Sequence, residues 1–138
     1  HPSRPVLMRR FRWHLTRELD LAAMQIAAMT LLGEHDFSAM RGSGCTARSP
    51  VRSIDRIGWR REGDALILDV FGRAFLKHMV RNIVGTCVEI GRGRWPADRM
   101  AGILAGRDRT QAGPTAPALG LCLQRVFFEE DAYQRGLL

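Results

Sequence analysis

The sequence predicts an α+β domain: a largely antiparallel sheet with helices packed on one face. Three observations carry this expectation. Two neighbouring segments, Val51–Arg61 and Ala65–Arg73, read as strands and are split by the turn signal Glu62-Gly63-Asp64, which predicts a β-hairpin. Three other segments repeat apolar residues at helical spacing, and a closing segment reads as one more strand. The chain has 138 residues, which suits one domain spanning 1–138 with a core of its own.

The first helix is expected from Asp20 to Leu32. Asp20 is a capping residue, because its carboxylate can accept a backbone N–H of the first turn. Leu21, Met24, Ala28 and Leu31 form the apolar stripe, widened by Ala27 and Leu32, and Gly33 is the stop. From Glu34 to about Pro50 the chain is rich in Gly, Ser, Arg and Thr, as in Arg41-Gly42-Ser43-Gly44 and Ala47-Arg48-Ser49-Pro50. Regular segments flank this stretch closely, which favours a binding loop within one domain over a linker. In the second hairpin strand Leu66, Leu68 and Val70 share one face, and Ile67, Asp69 and Phe71 share the other. Trp59 is expected to pack at the edge of this sheet.

The strongest helix is expected from Phe75 to about Gly91. Phe75, Met79, Ile83, Cys87 and Ile90 make its apolar stripe, while His78, Arg81, Asn82 and Gly85 share another face. Gly91-Arg92-Gly93-Arg94 ends it. Pro96 starts a short helix to about Ala105, with Met100, Ile103 and Leu104 facing inward. A polar loop follows from Gly106 to Gly120, then a strand from Leu121 to Phe128, then a frayed tail over about 131–138.

Composition narrows the class. Hydrophobic residues make up 46% and charged residues 25%, as in ordinary soluble domains. No window approaches the roughly 18 consecutive apolar residues of a membrane-crossing helix. His1-Pro2-Ser3-Arg4-Pro5 has no apolar core like that of a signal peptide. A cytoplasmic protein without membrane contact is expected. The net charge of +7 favours a polyanionic partner, most simply nucleic acid. Lys77 apart, all of the 21 basic residues are arginine, which clamps phosphate and stacks on bases. Codon bias would explain arginine over lysine, but not the excess of positive charge. Cys45, Cys87 and Cys122 are far apart and odd in number, which argues against a disulfide framework and a zinc site. Cys87 falls on the apolar side of a helix.

Common catalytic signatures are missing: there is no G-x-S-x-G, no phosphate-binding P-loop and no H-E-x-x-H. His14, His35 and His78 lack metal-ligand spacing, so no metal site is expected. Arg81, beside His78 and Asn82, is the sharper feature. By pattern alone a solvated helix face is the simpler account of it. Gly85 on the same face permits another backbone to approach, and the helix follows directly on a strand, where sites often form.

Four segments carry a family resemblance. Leu32-Gly33-Glu34-His35-Asp36-Phe37 looks like an L-x-G-x-H-D-F segment. Phe75-Leu76-Lys77-His78-Met79-Val80-Arg81-Asn82-Ile83-Val84-Gly85 looks like an F-L-x-H-M-V-R-x-I-V-G helix. Asp108-Arg109, followed by Ala112-Gly113-Pro114-Thr115-Ala116-Pro117, looks like a D-R-x-x-A-x-x-T-A-P loop. Gly120-Leu121-Cys122-Leu123 looks like a G-L-x-L strand. Each is weak alone, but the four in this order resemble the tRNA pseudouridine synthase A family over roughly Arg10 to Phe128.

The resemblance implies isomerisation of uridine to pseudouridine in the anticodon stem-loop of tRNA. The bond from ribose C1′ to uracil N1 breaks, the base turns, and C5 is joined to C1′. It implies an essential aspartate and no metal or organic cofactor. The family's aspartate sits in a G-R-T-D-x-G-V-H segment that does not occur here, and Asp108-Arg109-Thr110 matches the separate D-R loop instead. The family's upstream tyrosine is missing too, since Tyr133 in the tail is the only tyrosine. This chain is therefore expected to be the C-terminal half of a pseudouridine synthase fold. By itself it should be inactive, and its partners should be tRNA, the N-terminal half and a second copy in a homodimer.

Residue by residue, Arg81 matches the arginine that pairs with the catalytic aspartate. Leu121 matches a leucine that walls the target base. Arg48, Arg52, Lys77, His78 and Arg109 are RNA-contact candidates from charge and position. Two departures bear on RNA contacts: Lys77 stands where many relatives have tyrosine or histidine, and Met40 where many have an aromatic residue. Two rival readings stay open, a non-catalytic basic RNA-binding module and a plain interaction domain.

Overall fold

The computed structural model describes residues 6–14 and 18–127. In chain order the elements are β1 (Val6–His14), α1 (Leu21–Met29), β2 (Gly33–Asp36), β3 (Val51–Glu62), β4 (Ala65–Gly72), α2 (Met79–Gly91), α3 (Arg99–Gly106) and β5 (Leu121–Phe127). The strands form one sheet in the order β2-β3-β4-β1-β5, and every neighbouring pair is antiparallel. This is the α+β architecture that the strand and helix patterns predict.

The hairpin closes as its turn signal requires, with Glu62 opposite Ala65 and pairing running back to Ile54 opposite Gly72. Alternation then sorts the side chains. Leu66, Leu68 and Val70 of β4, Ile57 and Trp59 of β3, and Phe11 of β1 face the helices and join Met24 and Ile83 in one core. Trp59 sits on the stretch of β3 beyond its pairing with β2, and the Gln25 side chain of α1 accepts its backbone N–H at 2.7 Å. The edge amide is thereby satisfied without a further strand.

On the helix-free face, β4 presents Ile67, Asp69 and Phe71, and arginines of the flanking strands cover them. Arg10 and Arg60 each donate through Nε to Asp69, both at 2.8 Å. Arg12 and Arg60 reach Glu62 at 3.0 and 2.6 Å. The Arg56 guanidinium lies 5.5 Å from the Phe71 ring centre. Ion pairs this exposed are worth little each, but the arginine stems shield the apolar residues beneath.

Several boundaries differ from the sequence reading. β1 was not expected, and it is an inner strand between β4 and β5. Its arginines mask an alternation in which Met8, Arg10 and Arg12 lie opposite Phe71, Asp69 and Ile67, while Phe11 faces the core. β2 falls in the expected loop. It has no apolar face of its own and exists because Gly33–Asp36 pairs with Ile54–Val51. α1 stops at Met29 and not Leu32; Asp20 caps it by accepting the Ala23 N–H at 3.0 Å. α3 begins at Arg99 and not Pro96, after a turn closed by Pro96 and Ala97 carbonyls. The tail over 131–138, with Tyr133, lies outside the described residues, as does Phe128.

The most informative shift is at α2, which starts at Met79 and not Phe75. The Lys77 carbonyl, which a helix would bond within itself, instead accepts the Gly42 N–H at 2.7 Å. His78 then takes a left-handed conformation, with φ of 60°, before the helix begins. From Met79 to Gly91 every residue except Arg81 is buried. The helix runs through the interior, and its Arg81 face is not a solvated one. Among the described residues no helix is long and apolar enough to cross a membrane.

Ile83 is fully buried on the side of α2 facing the sheet. Ile83→Ala should lower the unfolding free energy by roughly 2–5 kcal/mol, because the cavity left cannot fully collapse. Urea titration of the 138-residue chain checks this, and a loss well under 1 kcal/mol would contradict the packing described.

Candidate functional site

The site is built where α2 begins. Arg81 and Ala116 hold each other twice: the Ala116 N–H donates to the Arg81 carbonyl at 3.0 Å, and Arg81 Nε donates to the Ala116 carbonyl at 2.7 Å. The terminal nitrogens of Arg81 have no partner among the described residues, and no carboxylate there lies within ion-pair distance. Arg81 is thus a half-buried cation with one donor anchored and its fork still available.

The 112–117 segment can reach Arg81 because two glycines meet. A Cβ on Gly85 would stand 1.5 Å from the Pro114 carbonyl oxygen, and one on Gly113 would stand 2.6 Å from the Gly85 oxygen. Side chains at either position would push the loop off the helix. A polar seam then locks the contact. The buried Asn82 donates to the Met40 carbonyl at 2.8 Å and accepts from Thr115 Oγ1 at 2.6 Å and Arg109 Nη2 at 2.9 Å. Thr86 accepts the Gly113 N–H at 3.0 Å, and Arg109 Nη1 donates to the Gly113 carbonyl at 2.7 Å.

Lys77, His78 and Leu121 come together in one shallow cleft of about 180 Å³, with Arg9 and Val80. Leu121 opens β5 opposite Phe11, which gives the cleft an apolar wall. Arg81 follows Val80 and lies close enough to act electrostatically on His78. Burial first, then the charges of Arg81 and Lys77, holds the His78 imidazole below its ordinary pKa of 6.5.

The remaining candidates are placed differently. Arg48 is exposed in the loop before β3. Arg52 folds back on the stem of that loop, donating to the Ser49 and Val51 carbonyls at 2.9 and 2.7 Å. Arg109 has both terminal nitrogens engaged inside the fold, where it staples the loop through Gly113, Asn82 and Thr115. Its guanidinium pKa is lowered by burial.

Sequence reasoning missed Arg9, which lay on the unpredicted β1, and the seam made by Thr86 and Thr115. One signal was available. Asn82, Gly85 and Thr86 share a helix face at i, i+3 and i+4, a small-and-polar stripe suited to receiving a backbone. Elsewhere, burial pushes the Cys87 thiol up to about 12, which makes it a packing group. Among the described residues no three His, Cys, Asp or Glu side chains converge as metal ligands.

Two outcomes follow from this geometry. Gly85→Ala should destabilise the chain by roughly 1–3 kcal/mol or more as an overpacked contact. Gly102→Ala in α3, whose Cβ would meet nothing within 4 Å, should stabilise it by up to about 1 kcal/mol. Thermal or urea unfolding of both variants separates them, and equal effects would count against the Gly85–Pro114 contact. The second outcome concerns pH. With its folded pKa below 6.5, His78 is protonated in the unfolded chain first as pH falls. Stability is therefore intact above 6.5 and declines as pH drops from there through the folded value. His78→Asn, which tolerates a left-handed backbone, should flatten that decline. Urea midpoints between about pH 8 and about pH 5 test it; an unaltered slope would assign the decline to another group.

Comparison with known proteins gives one answer. A family model described as tRNA pseudouridine synthase matches residues 27–129. The chain is 48% identical over 133 residues to tRNA pseudouridine synthase A of Acidiphilium cryptum, an alignment covering 96% of this chain and 52% of the relative. To the same enzyme of Gluconobacter oxydans it is 45% identical over 134 residues, covering 97% and 49%. To that of Myxococcus xanthus it is 48% identical over 129 residues, covering 93% and 49%. The chain spans about half the length of these curated relatives. The matched stretch contains α2, the 112–117 segment and Leu121, with Arg9 of the cleft lying before it, and the chain belongs to the tRNA pseudouridine synthase family.

Proposed function

We propose that this chain supplies the C-terminal half of a cytoplasmic tRNA pseudouridine synthase acting on uridines of the anticodon stem-loop. The observation that carries the reading is Arg81. It is the one residue of α2 that is not buried, its Nε is anchored, and its fork is unengaged among the described residues. Such a cation suits a carboxylate brought by another segment. It would hold that carboxylate ionised and oriented through a bidentate pair. The carboxylate is the aspartate of the N-terminal half, and the reaction breaks the C1′–N1 bond and joins C5 to C1′. Leu121 supports the turned-out uracil.

Exposed Arg48 and the cleft residues Lys77 and His78 contact RNA, with Arg52 at the stem of the same loop. The N-terminal half continues the sheet at β5, which ends the strand order and carries exposed Leu123. The whole enzyme is a homodimer. The rival reading, a binding module without chemistry, draws on the net charge of +7.

The chain alone, incubated with tRNA, should form no pseudouridine while binding tRNA with salt-sensitive affinity. Joined to an N-terminal half such as that of the Acidiphilium cryptum relative, it should form pseudouridine, and Arg81→Ala should lower kcat by roughly 100-fold or more. An undiminished rate in that variant would refute the role given to Arg81. Binding without any activity after joining the halves would favour the binding module.

A further inference from the structure

We propose that Thr115, Asn82 and Arg109 are positioning residues for Arg81, acting through the Ala116 carbonyl. This rests on the reading of Arg81 as the partner of a catalytic carboxylate. Gly113 is gripped at both backbone groups, its N–H by Thr86 Oγ1 at 3.0 Å and its carbonyl by Arg109 Nη1 at 2.7 Å. Thr115 is gripped through its side chain by Asn82 Oδ1 at 2.6 Å, and Ala116 through its N–H by the Arg81 carbonyl at 3.0 Å. With those points set, the Ala116 carbonyl can aim only at Arg81 Nε, 2.7 Å away.

A guanidinium is planar. Fixing its Nε–H on an acceptor fixes the plane and leaves the Nη1/Nη2 edge for a bidentate pair. Without that acceptor the side chain keeps its rotamer freedom, and a carboxylate would have to order it at the moment of reaction.

A second feature distinguishes this seam from ordinary loop packing. Arg109 is a partly buried cation whose hydrogen-bond partners among the described residues are all neutral: the Gly113 carbonyl, Asn82 Oδ1 and Thr115 Oγ1. A neutral donor would staple a loop at lower desolvation cost. What Arg109 adds is its rigid fork, which spans Gly113 and Asn82 at once and so ties the segment to the same helical turn that carries Arg81.

Thr115 is the place to test this, because it is exposed and its replacement leaves the core intact. The first arm uses the 138-residue chain with ¹⁵N-labelled arginine. In Thr115→Val the Arg81 Nε–H should exchange with solvent at least about 10-fold faster, while the thermal midpoint moves by no more than about 5 °C. Thr115→Ser, which keeps the hydroxyl, should restore the protection, and Arg109→Lys, which keeps charge but loses the fork, should not. The second arm uses the chain joined to its N-terminal half. Thr115→Val should lower kcat about 10-fold or more with KM for tRNA unchanged within about two-fold, and Thr115→Ser should recover most of the rate.

Unchanged exchange in Thr115→Val would overturn the proposal. So would faster exchange with an unchanged kcat, or a change confined to KM, which would assign the segment to RNA binding. If Arg81→Ala itself left kcat intact, the catalytic reading of Arg81 would fall, while the exchange arm would still decide whether the seam orients it.

Discussion

The contact on which the rest of this site depends is a meeting of two backbones. Gly85 and Gly113 remove the side chains that would separate α2 from the 112–117 segment. Only then can Ala116 reach Arg81, and only then do Asn82 Oδ1 and the Thr86 hydroxyl oxygen accept from Thr115, Arg109 and Gly113 in place of water. Buried Asn and Thr on an interior helix would otherwise be costly, since each unsatisfied polar group forfeits its hydration. The seam is therefore cooperative. The glycines allow the approach, the polar side chains make it specific, and the arginine is oriented as a result.

This arrangement also explains why the helix starts late. The Lys77 carbonyl is taken by Gly42, which draws the 41–47 loop against the start of α2 and turns His78 into the left-handed region. Arg41 steadies the same loop by donating to the Cys45 carbonyl at 3.1 Å and to that of Ala47. Two loops distant in sequence thus converge on the first turn of one helix. Arg9 and Lys77 line the cleft beside that turn, with Leu121 as its wall.

Positive charge serves two purposes in this chain. On the helix-free face Arg10, Arg12, Arg56 and Arg60 pair with carboxylates or cover Phe71, so part of the arginine content is structural. Around α2, burial first and then the charges of Arg81 and Lys77 hold the His78 imidazole below its ordinary pKa. The net charge, unaffected by such pairing, still points to a polyanion. It does not say which cations meet it, and Arg109 illustrates the difference.

The sequence by itself determined the elements that carry their own period. The hairpin, the stripes of α1 and α2, the inward residues Met100 and Ile103 of α3 and the strand from Leu121 were legible because alternation and helical spacing are local properties. So was membership of the family, since four motifs stood in order. What only the tertiary structure decided are the features that exist through pairing. β1 is hidden by its arginines until β4 and β5 flank it, and β2 has no apolar face and is a strand only beside β3. The Arg81 face reads as solvated until the 112–117 segment covers it. Arg81 itself was named from the sequence, but its anchored Nε depends on a segment more than 30 residues away, and no local pattern encodes a contact between two backbones.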